Sequence, residues 1–276
     1  MERAIRNQGA LDTPFPIVVE QPVMWGDHPK PKVAEQYKAL VDIRTGNVFS
    51  IVTHAYQLIT HEEAIQKVED ILAGNQTLRN YRIDTEFFKE GARMRRTYTF
   101  PEVCSDIQEG DVVNLRLHLY NSYDRKWPFS VYLGGYRVVC KNGLVVGTKF
   151  LHVSKRHIFQ SREVDLEKNI NTAIGRFEQQ TDQWRRMTRI SLSDKAYRTL
   201  METMSFGKEA SGIIEEEFRK QAEEITPSGY PIMTLWAFYN VLTAYITLYA
   251  VSLNHRVQME NRLRVAMQRV RIPRPR

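Results

Sequence analysis

Arginines, lysines and aromatic rings are the side chains whose types and spacing offer chemistry here. Arg93, Arg95, Arg96 and Tyr98 stand close together. In a strand, Arg93 and Arg95 share one face, and Tyr98 joins Arg96 on the other. Cations beside a ring suit a nucleic-acid strand, because guanidinium groups meet phosphates while bases stack. A solvated sheet face explains the same residues equally well. The run Asn121-Ser-Tyr-Asp-Arg-Lys-Trp-Pro sets Tyr123 and Trp127 beside Arg125 and Lys126. Free bases of a single strand stack on such rings. Trp127 also suits a simpler role, anchoring its loop to the core.

Lys141, Lys149, Lys155 and Arg156 form a third set, with His157 and Arg162 beyond. Backbone phosphates need cations repeated along a groove, and this segment supplies them. Residues 256–276 hold seven arginines against one acid, Glu260. That tail is either a source of non-specific nucleic-acid affinity or a solvated end.

Other chemistries lack their signatures. No Gly-rich loop ends in Lys-Ser or Lys-Thr, so ATP use is not expected, and no strand–GxGxxG–helix unit points to a dinucleotide. No cofactor is expected. The two cysteines, Cys104 and Cys140, exclude a disulfide-rich scaffold and a four-cysteine zinc site. His54 and His61 read as ordinary polar surface rather than metal ligands, and Cys140 as a small core residue. Asp84 and Glu86 lie two residues apart on one strand face. With Asp111 they are the candidates for a metal-dependent nuclease, a third-ranked reading.

These residues need a scaffold. The chain has 276 residues, 42% hydrophobic and 26% charged, with a net charge of +7. That is enough to bury a core without staples, and the charge leans toward an anionic partner. Residues 1–37 are Pro-rich and read as an extended arm, suited to draping over a neighbouring subunit. Residues 38–160 read as an antiparallel sheet with one early helix. Ala39–Arg44 and Val48–Val52 form a hairpin around Thr45-Gly46-Asn47. Thr60 and Glu63 make a capping box ahead of Ala64, Ile65, Val68, Ile71 and Leu72, and Gly74-Asn75 ends that helix.

Strands follow at Arg82–Phe88, Arg93–Phe100, Asp111–Tyr120 and Phe129–Cys140, with a tight turn at Asn142-Gly143. Val113, Leu115, Leu117 and Leu119 alternate with Asn114, Arg116, His118 and Tyr120, the pattern of a half-buried strand. Residues 161–265 read as helical, and 266–276 as a basic tail. The uncharged stretch 232–253 carries too many Thr, Tyr and Asn residues for a membrane span and reads as a buried helix. The N-terminus has no apolar core of a secretory signal, so a cytoplasmic location with reduced thiols is expected. Strands first and helices later make an α+β fold.

Two stretches resemble a known family. They are Asn121-Ser-Tyr-Asp with the following Arg137-Val-Val-Cys-Lys-Asn-Gly-Leu, and Thr234-Leu-Trp-Ala-Phe-Tyr-Asn-Val-Leu-Thr243, with Tyr56 as a further match. The chain resembles a phage- and plasmid-encoded family catalogued as domain of unknown function nine-three-two, over roughly residues 38–265. It departs from the family pattern at Tyr123 and in the Trp127-Pro128 loop. The family supplies no activity. The order of helix, hairpin sheet and helix is also similar to phage single-strand annealing proteins, a likeness of topology alone.

The likeness implies a protein that binds single-stranded DNA without ATP, promotes annealing in recombination or replication, and forms a ring or filament of identical subunits. A single-strand-binding protein or an exonuclease is then a natural partner. Arg93, Arg95, Arg96, Arg125, Lys126, Lys141, Lys149, Lys155 and Arg156 are expected on phosphates. Tyr98, Tyr123 and Trp127 are expected on bases. The alternative is a structural or regulatory mobile-element protein, for example an inhibitor of host defence, that acts through protein contacts.

Overall fold

The structure is a computed structural model, and it describes residues 5–7, 15–27, 29–138, 145–155, 166–224, 233–250 and 253–270. The order is β1 (Ile5–Asn7), β2 (Val18–Trp25), β3 (Lys32–Asp42), β4 (Val48–Thr53), α1 (His61–Gly74), β5 (Arg82–Phe88), β6 (Arg93–Gln108), β7 (Asp111–Ser122), β8 (Phe129–Val138) and β9 (Val145–Lys155). Then come α2 (Leu166–Met187), α3 (Asp194–Met204), α4 (Lys208–Glu224), α5 (Leu235–Tyr249) and α6 (Leu253–Arg269). The fold is α+β, as the order of sequence patterns predicts. One sheet has the strand order β1-β5-β6-β7-β8-β9 and a smaller one the order β2-β3-β4.

Two of the expected boundaries move. The Pro-rich arm contributes β2 and the start of β3, so a limit at residue 37 falls inside a strand. Pro22 sits where the β2–β3 register shifts, a position that spares the ladder its missing N–H. At the other end, α6 runs to Arg269 and so includes part of the expected tail. The Asn142-Gly143 turn and Cys140 lie outside the described residues.

The chain divides into two compact units. The first comprises Met1–Val103, Leu115–Leu133 and Phe150–Ala173. Here α1 starts as its sequence dictates. The Thr60 hydroxyl accepts the Glu63 N–H at 3.1 Å, and the Glu63 carboxylate accepts the Thr60 N–H at 2.8 Å. Ala64, Ile65, Val68 and Leu72 are buried. Leu115, Leu117 and Leu119 of β7 are buried too, with Met94, Tyr98 and Phe100 of β6. The smaller sheet buries Val18, Leu40 and Val52 in one cluster with Tyr123, against which Phe49, Tyr56 and Leu58 pack.

The second unit comprises Cys104–Asn114, Gly134–Lys149 and Ile174–Arg276. Its centre is α5, capped by Thr234 and buried from Leu235 through Thr243. Trp236 donates its indole N–H to Asp111 at 2.8 Å, and Asn240 donates to the Trp236 carbonyl at 2.9 Å. Phe238 lies between Tyr197 and Phe218. Within the uncharged stretch, Leu235–Thr243 is therefore core helix while Leu248 and Tyr249 are exposed, and among the described residues no helix is long and apolar enough to cross a membrane.

Candidate functional site

Strand β6 assigns the first arginine set to two faces, as alternation requires. Its pairing with β5 is Asp84 to Thr97, Thr85 to Arg96, Glu86 to Arg95 and Phe88 to Arg93. Arg96 points with Met94, Tyr98 and Phe100 to the face that carries the core. It ion-pairs with Glu69 of α1 at 2.8 Å and donates to Tyr98 Oη and Thr85 Oγ1, each at 3.0 Å. Tyr98 has no exposed surface. Burial, with Arg96 opposing it and Glu69 reinforcing it, pushes the Tyr98 phenol well above its usual range. Neither residue presents a surface to a nucleic acid. The expected phosphate contact at Arg96 and base contact at Tyr98 are corrected to core roles.

Tyr123 is corrected in the same way. It is fully buried, stacks on Phe49 with ring centroids 5.6 Å apart, and accepts the His61 N–H at 2.8 Å. Its partner His61 is also fully buried, contrary to its reading as surface. The ring bonds Gly91 O through Nε2 at 2.9 Å, which assigns the proton to Nε2, so Nδ1 accepts from Asn121 Nδ2 at 3.1 Å. Asn121 donates as well to Ile59 O at 2.9 Å. Asn121, which carries part of the family resemblance, and Tyr123, which departs from it, thus tie the start of α1 to the end of β7. The signal was present: His61 lies three and four residues before Ala64 and Ile65, on the apolar stripe of α1.

The other face of β6 leads to an open corner. Arg93 pairs with Asp124 at 2.6 Å and lies 5.6 Å from the Trp127 ring centroid. Trp127 is half-buried and meets Phe88 and Tyr120 edge-on, each at 5.5 Å. Ser122 holds this loop closed: its Oγ accepts the Trp127 N–H at 3.0 Å and donates to the Trp127 carbonyl at 2.8 Å. Arg125 and Lys126 are exposed at the tip. Arg95 is ion-paired with Glu86 and lies 5.8 Å from the Phe88 ring centroid. Burial opposes its charge, yet Tyr120 and Glu86 beside it hold its pKa above the ordinary value. Arg95 is thus held by Glu86 beside Phe88, with a third of its side chain exposed.

The backbone at this corner is strained. Lys89, Glu90 and Arg125 have φ of 52°, 55° and 64°, and Gly91 has 86°. Such non-glycine conformations cost on the order of 1 kcal/mol each and gather at ligand-binding loops. The two loops touch: Tyr123 N–H donates to Ala92 O at 2.8 Å. The corner thus gathers Arg93, Phe88 and Trp127 with the exposed Arg125 and Lys126 of the same loop. Phe88 was not singled out from sequence, because only the pairing of β5 with β6 sets it beside Arg93 and so against Trp127.

Beyond the corner, the same face of the sheet continues through Asp84, Thr97 and His118, with Thr97 Oγ1 2.9 Å from His118 Nδ1. Asp84 and Glu86 do share a face, but Glu86 is spent on Arg95 and Asp111 on Trp236. Among the described residues no three His, Cys, Asp or Glu side chains are placed to hold a metal ion. Lys149 and Lys155 fall on β9, at the edge of the larger sheet beside β8. Lys141 and Arg156 lie outside the described residues.

Comparison with curated proteins and with solved structures finds no match. The family model described as Domain of unknown function (DUF932) matches residues 48–267, which include α1, the corner loops and all of α5. The chain belongs to this family of domains of unknown function.

Proposed function

We propose that this chain binds single-stranded DNA at the corner formed by β5, β6 and the 123–127 loop, and promotes strand annealing without ATP. The observation that carries the reading is Trp127, a half-buried ring backed edge-on by Phe88 and Tyr120 and flanked by Arg93, Arg125 and Lys126. A held ring with cations around it gives one base a stacking platform and gives the adjoining phosphates partners. Duplex DNA hides its base faces, so such a corner favours single strands.

In this mechanism Arg125 and Lys126 make the first phosphate contacts, and Arg93 shares its guanidinium between Asp124 and a phosphate. Asp124 keeps Arg93 aimed and lowers the local positive charge, which favours reversible binding over tight capture. Lys141, Lys149, Lys155 and Arg156 are proposed as further phosphate contacts. Reversible binding on ordered strands, in a phage- or plasmid-type setting in the bacterial cytoplasm, suits annealing. A single-strand-binding protein or exonuclease is the partner that would supply such strands.

The test is fluorescence anisotropy of a labelled single-stranded oligonucleotide over a salt series, without metal or ATP. Expected are a steep salt dependence, preference over duplex, and weaker binding for Trp127→Ala. Equal affinity for single strands and duplex, unchanged by Trp127→Ala, would overturn the proposal.

A further inference from the structure

From a fully buried position, His61 joins three stretches of chain. Its Nε2 meets Gly91 O at 2.9 Å, its Nδ1 meets Asn121 Nδ2 at 3.1 Å, and its backbone N–H donates to Tyr123 Oη at 2.8 Å. A carbonyl only accepts, so Nε2 carries the proton and Nδ1 is left as an acceptor. This arrangement holds only for the neutral ring. Asn121 Nδ2 serves Nδ1 and, at 2.9 Å, Ile59 O. Asn121 Oδ1 is buried and has no hydrogen-bond partner among the described residues. A buried acceptor left over in this way asks for a physical reason.

We propose that His61 is an acid-sensitive latch on the corner loops, whose two states differ by a turn of the Asn121 amide. A proton added to Nδ1 meets the hydrogens of Asn121 Nδ2. Turning the amide over brings Oδ1 to that proton and takes the donor from Ile59 O, the carbonyl just ahead of the Thr60 cap. One bond replaces another, and the start of α1 is released. The surroundings hold the ring neutral. Phe15 and Phe87 stand 6.3 and 6.0 Å from it between ring centroids, and Tyr123 4.1 Å. Burial raises the Tyr123 and nearby Tyr56 phenols, so both stay uncharged. His61 is the first residue of α1, where the helix end disfavours a cation. The carboxylates around it are exposed or engaged elsewhere. Glu62 and Glu63 are exposed, and Glu63 is bonded to Thr60. Of the exposed Lys89 and Glu90 beside Gly91, Glu90 accepts from Asn47, and Asp124 pairs with Arg93. The latch reaches the corner because Gly91 belongs to the left-handed turn with Lys89 and Glu90, and Ala92 O takes the Tyr123 N–H at 2.8 Å.

Any effect of the latch on DNA rests on the proposed function, but the latch itself does not. The experiment therefore reads the fold. Hydrogen exchange of the full chain is followed from about pH 7.5 to about pH 5.5, across the pH ~6.5 at which a free imidazole takes up its proton. Rates are corrected for the intrinsic pH dependence of exchange, and nitrogen-15 spectra of the imidazoles are recorded alongside. The amides of His61, Ala92 and Tyr123, each hydrogen-bonded in the latch or its turn, are the reporters. A proton bound only in the released state raises that state's population about tenfold over this range, and exchange at these amides with it. The rise should vanish in His61→Gln, which keeps a donor for Gly91 O and takes up no proton. It should persist in His54→Gln, a change at an exposed histidine. At the upper pH the wild-type His61 ring should carry its proton on Nε2 alone. A ring that becomes protonated while these amides are unchanged overturns the inference, as does one that stays neutral with no rise in exchange. An equal rise in His61→Gln overturns it too. The wild-type spectra decide the question alone where that variant does not fold, and a chain that fails to bind DNA leaves the latch standing.

Discussion

Arg95 and Arg96 are neighbours in sequence and opposites in environment. Arg96 is sealed between β6 and α1 by Glu69, Tyr98 and Thr85. Arg95 lies on the other face, paired with Glu86 and a third exposed, two residues from Arg93 with its partners Asp124 and Trp127. A single residue's step along the strand separates a structural cation from one beside a candidate ligand. The difference teaches that a run of arginines in a strand is two groups, to be read against the residues two positions away. Met94, Tyr98 and Phe100 mark the Arg96 face as core.

The comparison breaks hardest on the sealed side. Asn121→Leu should cost about 3 kcal/mol, because it leaves Ile59 O and His61 Nδ1 without their buried donor. Urea unfolding measures this, and a loss below about 1 kcal/mol would show the network to be dispensable. Arg96→Ala should cost about 2 kcal/mol, less than a fully buried pair because Glu69 is partly exposed. Its DNA affinity should match that of the wild type. A selective loss of DNA affinity with stability retained would move Arg96 to the binding side.

On the open side the effects move to binding. Trp127→Ala should weaken single-strand affinity about tenfold through lost stacking. Arg125→Ala and Lys126→Ala should each lower the salt slope by about one while leaving the unfolding midpoint near the wild-type value. Slopes equal to the wild type in both would remove the loop tip from the phosphate path.

The smallest effect sharpens the sealed side by titration. Burial pushes the Tyr56 phenol up to about 12, and raises Tyr98 and Tyr123 as well. In the unfolded chain these phenols ionise near pH ~10. The folded state therefore holds protons that the unfolded state releases. Stability from this source is complete below pH 10 and falls as pH rises through 12. Unfolding curves across that range, with phenolate absorbance as a second signal, should show these tyrosines ionising only as the chain unfolds. Ionisation near pH ~10 with the fold intact would contradict their burial.

Much of the fold was legible locally. The Thr60–Glu63 capping box and the alternation of Val113 to Leu119 are set by residues within a turn or a few strand positions, and both appear. The buried character of α5 was legible in its lack of charge. The ribbon of β2 and β3 was not. Its prolines obscure a strand, and its pairing joins residues far apart in sequence, such as Val18 with Asp42.

The candidate site divides along the same line. The sequence by itself determined that Arg93 and Arg95 share one face, that Arg96 and Tyr98 share the other, and that Arg125, Lys126 and Trp127 belong to one loop. Those are consequences of backbone period and short range. Only the tertiary structure decided which face α1 covers, that Tyr123 turns inward to His61, and that Phe88 stands beside Trp127. Such outcomes depend on which distant surfaces pack, and burial belongs to the assembled contact rather than to the residue.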